Sequence, residues 1–135
     1  MYLLRVRCGI IRVHGMISDL AEFLRRHGFK VIAYRDALRV PDEELPIYLE
    51  VKLDAGKIYT AIGFTEELRE ILEEKASGGE SIEDIVEDAL SRLNTCALLV
   101  KKWADERRLV TIFRLREGSV ELMDLLEELR EEMEG

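Results

Sequence analysis

The sequence predicts an α+β fold: a mostly antiparallel sheet of four to five strands, with helices packed on it and a C-terminal helix. Ile47, Leu49, Val51 and Leu53 alternate with polar residues, and Ile58, Ile62 and Phe64 alternate again beyond Asp54-Ala55-Gly56-Lys57, which is the period of paired strands. Two later segments join capping residues to apolar residues at helical spacing. Near the C-terminus, Leu122, Leu126, Leu129 and Met133 make one helical stripe, widened by Leu125.

Taken in order, Tyr2–Val13 reads as a strand with a bend at Gly9. Ser18 is a suitable N-cap, Asp19 suits the first turn, and Leu20, Phe23 and Leu24 form an apolar face. Gly28 then closes that helix. Phe29–Val40 reads as a second strand, parallel to the first through a right-handed crossover. Pro41–Glu44 is a solvated loop. With Ala55-Gly56 as a two-residue turn, Leu53 faces Ile58, Val51 faces Thr60, Leu49 faces Ile62 and Ile47 faces Phe64. That register buries Ile58 and Ile62 and points Glu50 and Lys52 to solvent.

Thr65 is expected to cap the next helix, whose stripe is Leu68, Ile71 and Leu72, and Ser77-Gly78-Gly79 to break it. Ser81 caps a second helix that can run through Trp103. Leu109–Leu115 reads as a short strand, and Gly118-Ser119 opens the last helix. With no linker or repeat, residues 1–135 are expected to form a single domain.

Hydrophobic residues make up 47% and charged residues 36% of the chain, with no glutamine and a single asparagine, Asn94. Abundant Glu, Lys and Arg with few thermolabile amides is a hyperthermophile-like composition. Cys8 and Cys96 sit far apart in apolar surroundings and read as buried thiols, with a disulfide between them as the alternative. No Cys or His spacing fits a zinc site, and no cofactor is expected. Arg5, Arg7 and Arg12 interrupt the N-terminal apolar run, unlike a signal peptide, and no uncharged run reaches membrane-spanning length. The expectation is a cytoplasmic protein with no membrane partner.

The net charge of −8 is unevenly spread: eight Arg/Lys against three acids give residues 1–40 a net +5, leaving −13 for the rest. Such a chain can satisfy itself internally or present its basic part to an anion. His27, at a helix end, suits the negative end of the helix.

The stretch Lys57–Leu93, KIYTAIGFTEELREILEEKASGGESIEDIVEDALSRL, reads as strand, helix, Gly-Gly turn and helix. That order resembles the ribbon-helix-helix family of dimeric repressors and antitoxins. The resemblance implies an intersubunit ribbon whose outward residues, here Lys57, Tyr59, Ala61 and Gly63, enter the major groove. The helix start at Ser81 would then sit on a phosphate. Ala61 and Gly63 lack the hydrogen-bonding groups that base reading needs, and Glu80, Glu83 and Asp84 crowd that helix start with negative charge.

Pro41-Asp42 with Glu50-Val51-Lys52 also resembles the PD-(D/E)xK nuclease motif. That resemblance implies magnesium held by Asp42 and Glu50, with Lys52 stabilising charge and Glu22 as a further carboxylate. The alternation of a strand also places polar residues at Glu50 and Lys52 with no such role. Arg5, Arg7, Arg35 and Arg39 form a basic strand set that could meet a nucleic acid, with Lys57 and Tyr59 as further contacts.

The leading expectation is a non-catalytic interaction, regulatory or accessory-subunit protein. It is expected to self-associate as a homodimer through the stripe Leu122, Leu126, Leu129 and Met133, or to bind another protein. A ribbon-helix-helix regulator or antitoxin and a metal-dependent nuclease are the alternatives.

Overall fold

A computed structural model describes residues 15–113 and 115–134. Helix α1 spans residues 15–26, strand β1 Ile32–Tyr34, β2 Ala37–Pro41, β3 Ile47–Asp54 and β4 Lys57–Phe64. Then follow α2 (Glu67–Ser77), α3 (Ile82–Glu106), β5 (Val110–Phe113) and α4 (Leu115–Glu134). The sheet order is β1-β2-β3-β4-β5, antiparallel throughout except for the parallel pair β4–β5. The fold is therefore α+β with a mostly antiparallel sheet, as the alternating pattern predicts.

The β3–β4 hairpin has the expected register, with Ile47 opposite Phe64 and Leu53 opposite Ile58. Ala55 and Gly56 both take positive φ, 49° and 76°. Two consecutive left-handed residues give a turn whose twist matches that of the strands. Ile58 and Ile62 are buried and Lys52 is exposed, but Glu50, expected in solvent, is only 20% exposed at its side chain, covered by its ion pairs with Arg39 and Lys52.

All four helices lie on one face of this sheet. A single apolar cluster joins Leu38, Leu49, Val51 and Ile58 of the strands to Leu20 and Leu24 of α1, Leu68 and Leu72 of α2, Leu93 and Trp103 of α3, and Leu122 and Leu129 of α4. Ser81 caps α3 by accepting from the Asp84 backbone N–H. The helix then continues past Trp103 because its buried residues, from Val86 to Ala104, keep one side against the core.

Several expectations are corrected. Ser18 lies inside α1 rather than at its cap, because the helix already includes residue 15. Phe29–Val40 is not one strand. The chain reverses at Arg35-Asp36, where Arg35 takes φ 51°, and β1 folds back on β2. Asp36 is a common turn residue, but Arg35, which takes the left-handed conformation, is not, so the break left only a weak local signal. Tertiary contacts hold it: Leu53 N–H donates to the Asp36 carbonyl at 3.0 Å. Thr65 does not cap α2 with its side chain; its hydroxyl donates to Glu67 instead. Helix α4 starts at Leu115, ahead of Gly118-Ser119. The strand expected at Tyr2–Val13, and with it the parallel crossover, lies outside the described residues.

Candidate functional site: the outer face of the sheet

With the helices on one face, the side chains that alternate outward share the other. Cross-strand pairing aligns them in rows. Tyr34, Ala37, Lys52, Tyr59 and Ile112 form one row, and Ile32, Arg39, Glu50 and Ala61 the next. Pro41, Tyr48 and Gly63 follow on one side, and Asp54, Lys57 and Val110 on the other. The outward face of an antiparallel sheet is ordinarily polar. Here uncharged and aromatic residues predominate, and Ile32 and Val110 at opposite margins are 53% and 58% exposed.

Toward one end of this face stands an ordered stack. A Cβ placed on Gly63 would lie 2.6 Å from the Tyr48 ring, so the ring rests on bare backbone there. A glycine opposite an aromatic is the arrangement in which the ring covers the gap left by the missing side chain. The Arg39 guanidinium carbon sits 4.4 Å from the Tyr48 ring centroid and 5.8 Å from that of Tyr34. Glu50 holds it from the neighbouring strand at 3.3 Å, and Lys52 reaches the other Glu50 oxygen at 3.3 Å. Burial would lower the Arg39 pKa, but charge interactions with Tyr48 and Tyr34, a Tyr34 side-chain hydrogen bond and Glu50 outweigh this and raise it. Beside the stack opens a shallow trough of about 420 Å³, lined by Asp36, Glu50, Lys52, Asp54, Tyr59 and Ala61.

The nuclease set does not converge. Asp42 follows β2 and turns toward the helices, where Arg92 of α3 takes both its oxygens, while Glu50 points out of the opposite face. Glu22 is on α1, 3.6 Å from Arg26. Asp42 is also saturated, since the Glu44 and Leu45 backbone N–H groups donate to it at 3.0 Å. Burial would raise its pKa, but these hydrogen bonds outweigh that and hold the carboxyl below the usual range. Among the described residues, no group of three His, Cys, Asp or Glu converges to hold a metal ion.

Of the segment expected as a ribbon, β3 pairs along all of Lys57–Phe64 on one edge and β5 with Lys57 to Thr60 on the other. Of the basic set, Arg39, Lys57 and Tyr59 share the outer face, Arg35 stands in the turn at its margin, and Arg5 and Arg7 lie outside the described residues. The α4 stripe is divided. Leu122 and Leu129 belong to the chain's own core, Leu126 is half-buried and Met133 is exposed. The Tyr34–Arg39–Tyr48 stack escaped sequence reading, because its members come from three strands and meet only through the register. Cys96 is buried and free, and burial pushes its thiol up to about 12. Among the described residues, no helix is long and apolar enough to cross a membrane.

Compared with family models, with curated proteins and with solved structures, the chain matches none.

Proposed function

We propose that this chain is a non-catalytic interaction protein whose recognition surface is the outer face of its sheet. The observation that carries this is the stack on that face: Gly63, Tyr48 and Arg39 layered and fixed by Glu50. Tyrosine and arginine dominate binding energy at protein interfaces, and a side chain already held in place loses little entropy on binding. The carboxylates that could do chemistry are already engaged, Asp42 by Arg92 and Glu50 by Arg39 and Lys52. They also lie on opposite faces of the sheet.

The test is site-specific photocrosslinking in extract of the native source. A crosslinking residue at Ala61, on the face, should give discrete adducts. One at Glu87, exposed on α3, should not. Equal labelling from both positions, or none from Ala61, would overturn the reading.

A further inference from the structure

The chain carries −8 overall, yet the charges on its outer sheet face nearly balance. Among the described residues, Asp36, Glu50 and Asp54 stand there against Arg35, Arg39, Lys52 and Lys57, a near balance of three acids and four cations. We infer that the partner on this face is a second copy of the same chain, packed face to face about a two-fold axis. The inference rests on the reading of this face as a recognition surface and adds what covers it.

Charge selects the occupant. Two molecules of the same strong net charge repel, and they approach at least cost through surfaces with little net charge. A nucleic acid needs a concentrated positive field, and a polybasic segment needs a negative one. Interspersed charges supply neither. They do supply what a two-fold contact requires, because such a patch must complement itself. Lysines of one copy then meet carboxylates of the other.

Area and composition agree with this. The strands together hold 28 residues. At about 16 Å² of sheet per residue they project roughly 450 Å². A standard interface takes about 800 Å² from each partner, and weaker ones less than about 600 Å². The face is therefore of the size of a weak, reversible dimer contact. Ile32 and Val110 lie exposed at its margins, and the aromatic stack stands toward one end.

The experiment is sedimentation velocity on the full chain over roughly 1 to 500 μM, a range wide enough to register a weak contact. Wild type is compared with Lys52→Glu plus Lys57→Glu on the face, and with Lys101→Glu plus Lys102→Glu on α3. All four lysines are exposed, and both double variants change the net charge equally. The expected result is a wild-type dimer, weakened at least about thirtyfold by the face pair, because like charges then oppose each other across the contact. The α3 pair should shift it by less than about threefold. Circular dichroism confirms that both variants are folded. If the face pair does not fold, Val110→Lys, at an already exposed margin, replaces it with the same expected direction. A wild type that stays monomeric throughout overturns the second-copy inference, while crosslinks from Ala61 to another protein would still uphold the recognition surface. Equal weakening by both pairs also overturns it, since general repulsion then accounts for the effect.

Discussion

Arg92 grips Asp42 with two hydrogen bonds, Nε to Oδ1 at 2.8 Å and a second guanidinium nitrogen to Oδ2 at 3.0 Å. The contact ties the β2–β3 connection to the middle of α3, fifty residues further along the chain. Asp42 is 1% exposed at its side chain and Arg92 34%, so the pair is part-buried. Its role is to hold the loop on the helix.

Asp42→Asn should therefore destabilise the fold by about 2–4 kcal/mol in urea unfolding at neutral pH. That is somewhat less than the ~3–5 kcal/mol of a fully buried pair, because Arg92 keeps 34% exposure. The Asp42 pKa is depressed in the fold, so its contribution is complete above the ordinary carboxylate range and is lost as pH falls through the folded value. The gap between wild type and variant should thus narrow from about pH 5 downward. A gap that is constant with pH would show that the carboxylate charge plays no part.

Gly63→Ala tests the stack. The new methyl meets the far end of the Tyr48 ring, which can swing away, so the expected cost is only about 1 kcal/mol. The larger effect should be local. The Tyr48 ring signals should shift and the Arg39 side-chain resonances lose their ring-current displacement in NMR spectra. Unchanged spectra would mean that the ring does not rest on Gly63.

The two sides of α4 should answer differently to truncation. Leu122→Ala and Leu129→Ala each remove a buried side chain and should cost about 2–5 kcal/mol. Met123, 66% exposed on the same helix, should change stability by no more than about 0.5 kcal/mol when replaced by Ala. Denaturant midpoints give all three values.

Cys96 should be inert while the chain is folded. In a Cys8→Ser background, iodoacetamide should label the protein only in denaturant, because the thiolate is not formed where the thiol is buried. Its pKa is raised on folding, so stability is unaffected below the ordinary value of 9.0 and falls as pH rises beyond it. Rapid labelling under native conditions would place the thiol within reach of solvent.

The sequence by itself determined the elements whose signals are local. The β3–β4 hairpin was legible down to its register, because alternation and the Ala55-Gly56 turn demand the same pairing, and a slip by one residue would expose Ile58 and Ile62. The long α3 and its Ser81 cap were legible for the same reason, since a hydroxyl at the start and an apolar stripe after it are local patterns. The Arg35-Asp36 reversal was not, because a non-glycine residue at φ 51° is held by contacts with β3 rather than by its own preference. Only the tertiary structure decided which face of the sheet the helices cover. That choice sent Asp42 inward to Arg92 and Glu50 outward to Arg39, separating two carboxylates that lie close in sequence. It also put Leu122 and Leu129 in the core and assembled Tyr34, Arg39 and Tyr48 from three strands. Periodicity states that a strand has two faces, but only packing decides which of them meets the core and which neighbours gather on the other.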